Sequence, residues 1–196
     1  MVASESKSGT FEDFLADSKA LIGHQAPDVP QGVSVADGSS IQKFCSALGD
    51  VNPLYNDAAG GVGTLYNTMI APPAFILSAR TPDSGAAYEQ KQYGLRRFSI
   101  RASAEWNDVI RLGERLVTDL IVTDVRNGNQ WGSRETAEVD STATYRTVFG
   151  GVLAKATGSV AMVPYSLGET LIDDRDIYQY SDEEIRKLEN DLDAIP

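Results

Sequence analysis

Among 196 residues there is one cysteine and one histidine, and each scarcity narrows the chemistry open to the chain. A single thiol, Cys45, excludes an internal disulfide and makes a reducing cytoplasm the default compartment. Cys45 stands on the apolar face of a helix with Ile41 and Phe44, where a thiol packs as a small hydrophobe. The lone imidazole, His24, ends a first helix, where histidine suits the helix dipole better than catalysis. No stretch approaches the roughly 18 unbroken apolar residues of a membrane span. The opening "MVASESKSGT" is polar with no apolar run behind it, so no secretory signal is expected. Positive charge is also short. Seventeen Lys and Arg stand against 28 Asp and Glu, a net charge of -11. Such a field repels phosphate backbones and anionic membranes, which removes both from the expected partners. An anionic small molecule would need a local basic patch.

What is present reads as one soluble globular core, with 42% hydrophobic and 23% charged residues and no internal repeat. Residues 1–10 are expected to be disordered. Phe11, Phe14, Leu15, Leu21 and Ile22 recur at near-helical spacing and predict a short helix stopping near Gly23. "QAPDVPQG" (25–32) is a Pro-rich connector and "VSV" (33–35) a brief strand. Asp37 or Ser39 caps a second helix with apolar face Ile41, Phe44, Cys45 and Leu48, ended by Gly49. "MIAPPAFILSA" (69–79) predicts a strand end, two prolines and a helix apolar nearly all round, hence central and buried.

Beyond a polar loop the period changes to two. Runs at 96–106, 115–125, 133–149 and 151–163 are rich in Val, Ile and Thr and are separated by turn residues, including "RNGN". They predict four antiparallel strands in a meander. The expected architecture is α+β, one long buried helix wrapped by an antiparallel sheet, filling residues 11–165. Its sheet edges favour pairing with a second copy. Residues 166–196 form a tail, in which Ser181 with Glu184 makes a capping box and Ile185, Leu188 and Leu192 a narrow apolar stripe.

Three stretches carry a resemblance: "GDVNPLYND" (49–57) directly after the second helix, the "MIAPPAFI" helix start, and "WNDVIRLGERL" (106–116). Together they resemble the MaoC-like hydratases and hotdog dehydratases, in the fatty-acid-synthase-type dehydratase-domain branch, over roughly residues 20–165. The resemblance implies a hotdog fold and hydration of a trans-2-enoyl thioester, or the reverse dehydration, with no metal or redox cofactor. The substrate would arrive on CoA or an acyl carrier protein. In this family an aspartate and a histidine hold one water, and amides at the buried helix start meet the charge on the thioester oxygen.

By this resemblance Asp50 and Asn52 match the family's motif, while Tyr55 stands where the histidine should be. A phenol titrating near 10 is a poor base at neutral pH, whereas imidazole titrates near 6.5. Pro72 and Pro73 have no N–H to donate, which leaves Ala74, Phe75 or an upstream amide as the oxyanion donor. Arg96, Arg97 and Arg101, with Lys91 close by, are the basic cluster for the thioester's anionic carrier, Arg97 and Arg101 sharing one strand face. Arg111 and Arg115 form a second group. Three readings stand open: a channel-shaping half of a hydratase complex, an autonomous hydratase using Asp50 with Tyr55 or another residue, and a non-catalytic thioester-binding protein. Several family members pair unlike subunits, and the tail resembles the linker before a second half in fused relatives. A homodimer, or a heterodimer with a catalytic hotdog chain, is therefore expected.

Overall fold

The computed structural model describes residues 9–26, 32–87, 93–130, 134–165, 181 and 186. It separates two compact units, Met1–Pro164 and Tyr165–Pro196. The tail's apolar stripe, Glu184 and Lys91 lie outside the described residues, as do most of 1–10 and of the connector at 25–32. Thr10, placed by the sequence in a disordered end, instead caps α1 (Phe11–Lys19): its hydroxyl accepts from the Asp13 amide, and the Asp13 carboxylate accepts from the Thr10 amide. That reciprocal box satisfies two helix-end donors and fixes the start of α1. Phe14 is fully buried and meets Tyr93 edge-on at 5.3 Å, while the Tyr93 hydroxyl donates to Asp17 at 2.7 Å.

After α1 the chain runs along the sheet. Gly23 and Ala26 donate to the carbonyls of Val122 and Leu120 at 2.8 and 2.7 Å, and Val122 returns a bond to His24. His24 is thus an exposed residue of a strand-like segment past the helix, not its cap. Asp37 caps α2 (Gly38–Leu48) through the Ser40 amide, and Gly49 ends it at φ 68°, a left-handed position that glycine takes without strain. Next come α3 (Pro53–Asn56) and β1 (Ile70–Ala71). The expected long helix is a six-residue 3-10 helix, Pro73–Ser78, with Phe75 and Ile76 fully buried. Pro82 explains the shortness. Its ring would clash with the carbonyl four residues back, and the residue before it avoids helical angles.

The remaining strands are β2 (Leu95–Trp106), β3 (Ile110–Arg111), β4 (Leu116–Asn127), β5 (Ala137–Thr147) and β6 (Val152–Pro164). All four long strands fall where period two placed them, but their order is β2-β6-β5-β4, so the first lies beside the last rather than beginning a meander. The link from β2 to β4 is no tight hairpin, because it carries β3, which pairs with β1 beside the central helix. Buried and half-buried residues alternate along β5, with Val139, Ala143 and Tyr145 facing the helices. Among the described residues, no helix is long and apolar enough to cross a membrane.

The segment after the central helix is pinned to the sheet. Tyr145 and Ser141 donate to the carbonyls of Arg80 and Pro82, and Ser99 donates to the Asp83 carboxylate. Arg80, Asp83 and Ser84 are buried there. Gly158 lies under this strap, where a Cβ would come within 2.6 Å of the Pro82 carbonyl carbon.

Candidate active site

The loop of "GDVNPLYND" is built by its own side chains. The Asp50 amide donates to the Cys45 carbonyl at 2.9 Å, continuing the left-handed exit at Gly49. One carboxylate oxygen of Asp50, Oδ1, accepts from the Asn52 amide at 2.9 Å, and Asn52 Oδ1 accepts from the Leu54 amide at 3.1 Å. These are an Asx turn and an N-cap in succession. Asn56 ties the loop from inside, donating to the carbonyls of Asp50 and Asn52 at 2.8 and 3.0 Å. Gln42 of α2 closes it with a 2.9 Å bond to the Asn56 carbonyl. Asn52 therefore spends its acceptor on structure. Asp50 keeps its second oxygen, Oδ2, without a partner among the described residues.

Tyr55 rides on α3, half-buried, with its ring against the core. Burial pushes its phenol above the ordinary value, and the nearby Asp50 charge adds to the shift, as do Tyr66 and Cys45. Cys45 is fully buried, and burial followed by the Asp50 charge raises its thiol as well. Both effects keep the proton in place at neutral pH. Tyr66, half-buried and electrically close to both Tyr55 and Arg111, is a second phenol at the site. It lies in "GTLYN", which reads as turn residues and gives no signal of its own.

The second wall is the start of the central helix. Phe44 of α2 meets Phe75 edge-on at 5.6 Å, which locks the element holding Asp50 to the element holding the candidate donors. The Phe75 amide already donates to the Pro72 carbonyl at 2.9 Å, so of the two expected donors only Ala74 has no backbone partner among the described residues. Trp106, at the end of β2, donates through Nε1 to the Pro73 carbonyl at 2.9 Å and fixes the approach to this helix start.

The arginines do not form one cluster. Arg97 sits opposite Met162 and Arg101 opposite Ser159, neighbouring strands' residues on opposite faces, because a bulge at Ile100 shifts the register between Ser99 and Arg101. The expected shared face is therefore overturned. Arg96, opposite Val163, shares its face with Arg101 instead. Arg97 lies near the buried Asp83 carboxylate, and Arg101 donates to Ser159 at 3.2 Å. Arg111 makes two 3.3 Å bonds to Asp108. Among the described residues, no three His, Cys, Asp or Glu side chains gather to hold a metal.

Comparison with known proteins agrees with this geometry. A family model described as "FAS1-like, dehydratase domain region" matches residues 20–148. A UPF0336 protein of Streptomyces coelicolor is 32% identical over 81 residues, 41% of this chain and 53% of that protein, so the match spans about half of the relative's length. Among solved structures, the ChsH1–ChsH2 complex from Mycobacterium tuberculosis superposes with a TM-score of 0.59 at 15% identity, covering 84% of this chain and 97% of that one. The R-hydratase PhaJ1 from Pseudomonas aeruginosa gives 0.53 at 18%, covering 74% and 92%. With the family model matched over well more than half its length, the chain belongs to the FAS1-like dehydratase-region family and has the hotdog fold of the MaoC-like dehydratases.

Proposed function

We propose that this protein is a subunit of an enoyl-thioester hydratase or 3-hydroxyacyl dehydratase, one that shapes the acyl site and lacks the imidazole half of the proton shuttle. The observation that carries the reading is Tyr55. It occupies the motif position on an intact loop, beside Asp50, with a phenol pushed further from neutrality by burial. Hydration needs a group that takes a proton from water and returns one to carbon near pH 7. Asp50 offers one unengaged carboxylate oxygen, and Tyr55 offers a donor that does not readily become a base. The Ala74 amide supplies a single oxyanion donor where a pair is the stronger arrangement.

In this reading the thioester, on CoA or a carrier protein, is held against the Ala74 end of the central helix, and no metal or redox cofactor takes part. A second chain provides the histidine where turnover occurs. The ChsH1–ChsH2 likeness supports a two-chain assembly as a form open to this fold. Anion recognition is not assigned to Arg96, Arg97 and Arg101 jointly, since they divide between two faces.

The test is a panel of trans-2-enoyl-CoA thioesters, short to steroid-sized, offered to the purified chain and to Asp50→Asn. The expected result is binding by the wild type without turnover. Turnover by the wild type that vanishes in Asp50→Asn would make the chain an autonomous hydratase and end this proposal.

A further inference from the structure

We infer that Trp106 is a positioning residue: its indole N–H, bound to the Pro73 carbonyl, holds and polarises the peptide unit whose other end is the Ala74 N–H. This role rests on the proposed function, which gives that amide the thioester oxygen. A peptide unit is planar and trans, so its carbonyl and its N–H point in opposite directions and turn together. The Pro73 carbonyl and the Ala74 N–H are one such unit. Trp106 Nε1 lies 2.9 Å from the Pro73 oxygen, so a tilt that re-aimed the Ala74 N–H would break this bond. The proline rings fix φ at 72 and 73, but the unit turns about ψ of Pro73 and φ of Ala74, which the rings leave free. The Ala74 N–H has no backbone partner among the described residues to restrain it. The 3-10 turn uses the same carbonyl with poorer geometry than an α-helix, and an oxygen has lone pairs for both donors.

Three features set this contact apart from the ordinary satisfaction of an indole. Trp106 is 50% exposed, so water would serve its N–H, and burial does not demand a protein partner. The base of the side chain is clamped. Trp106 pairs with Ala154 of β6, and the next two amides, of Asn107 and Asp108, both donate to the Leu153 carbonyl, at 2.8 and 3.2 Å. The same segment also holds the other flank of the prolines: Ala71 pairs with Ile110, and the Leu112 amide donates to the Met69 carbonyl at 3.0 Å. Residues 106–112 thus grip the chain on both sides of Pro72. The bond acts electronically as well. A donor on a carbonyl draws charge from the peptide nitrogen and makes its N–H the stronger donor, so hydrogen bonds in a chain reinforce one another. That matters most where one amide works alone, and the Phe75 N–H is already engaged by the Pro72 carbonyl.

The experiment is infrared difference spectroscopy of the full chain with a trans-2-enoyl-CoA isotope-labelled at the thioester carbonyl, with affinity measured by titration in parallel. The wild type should bind and lower the carbonyl stretching frequency. Trp106→Phe keeps a ring and loses the N–H. It should hold the affinity within about threefold and lose roughly half of the downshift, because the amide is present but no longer held or polarised. A role in packing alone would move the affinity and not the frequency. A full downshift in Trp106→Phe, whatever its affinity, would overturn the inference and leave the proposed function standing. Binding by the wild type with no downshift would overturn it by removing Ala74 as the donor, and no binding at all would end the proposed function with it. A second readout holds even where Trp106→Phe does not fold. The chain has two tryptophans, so Trp131→Phe leaves a single indole. Its N–H proton resonance should move downfield as the thioester binds, since the two hydrogen bonds share one peptide unit. An unmoved resonance would overturn the inference.

Discussion

The Tyr145 hydroxyl donates to the Arg80 carbonyl at 2.6 Å, joining positions 65 residues apart in the fully buried centre of the sheet. This bond, with those from Ser141 and Ser99, holds the strap that replaces a longer central helix. Tyr145→Phe removes a buried hydrogen bond to this carbonyl, which costs about 0.5–1.5 kcal/mol. Urea unfolding should show that loss. An unchanged midpoint would mean that the strap is held by its other contacts alone.

Gly158 tests the same strap from beneath. A methyl there meets backbone, with Asp83 Cα at 2.8 Å as well as the Pro82 carbonyl carbon, and backbone does not swing aside as a side chain does. Gly158→Ala should therefore destabilise by about 1–3 kcal/mol or more, with the strap shifted off the sheet. Thermal unfolding measures the loss. Hydrogen exchange at 80–87 should rise with it.

These two residues also mark how far the sequence could be read. Alternation places all four long strands because one face of each packs on the core, and Asp37, Gly49 and Asn52 are recognisable as caps and turn from residue type. Strand order is not written locally, since β2 and β6 choose each other across the chain. The bulge at Ile100 is likewise silent, because "RRFSIRASAEW" alternates acceptably with or without it, and it alone decides that Arg97 and Arg101 part company. Arg80, Asp83 and Ser84 fall in what reads only as a polar loop. Their burial depends on Ser99, Ser141 and Tyr145, far away in sequence. At the site, the loop and its tyrosine are legible, whereas Tyr66 and the engaged Phe75 amide emerge only from the fold.

Acid should weaken the fold through two aspartates. Burial opposes ionisation of both Asp83 and Asp140, but bonds from Ser99 and Thr81 with the Arg97 charge hold Asp83 below the ordinary 3.8, and bonds from Arg126 and Ser159 hold Asp140 there. A carboxyl with a depressed folded value contributes stability that is complete above the unfolded value of about 3.9 and is lost as pH falls through the folded one. Stability should thus decline below about pH 4, and Asp83→Asn should make the acid limb shallower. Equal acid slopes in wild type and variant would exclude Asp83 as a contributor.

Asp50→Asn is expected to leave the fold intact. Asparagine keeps an oxygen for the Asn52 amide, so the turn survives. Asp50→Ala removes that acceptor and should cost about 1 kcal/mol, as loss of a cap does. A large destabilisation by Asn would show that the carboxylate's charge, not its geometry, holds the loop.

Tyr55→His tests whether the site wants only an imidazole. The substitution puts a group titrating near 6.5 where the phenol stands above its usual value of about 10. The raised value means that the phenol stays protonated through neutrality, and any rate that depended on phenolate would still be climbing above pH 10. Wild type should therefore show no rate limb from Tyr55 between about pH 6 and 9. If the loop and the Ala74 amide are already placed, Tyr55→His should gain hydration by about 10²-fold, the lower range for a positioned acid–base group, with a limb near the imidazole value. Restored turnover would identify the missing proton shuttle as the reason the chain is inactive alone. Binding without any gain would move the fault to the oxyanion side, where the prolines at 72 and 73 and the engaged Phe75 amide leave one donor in place of two.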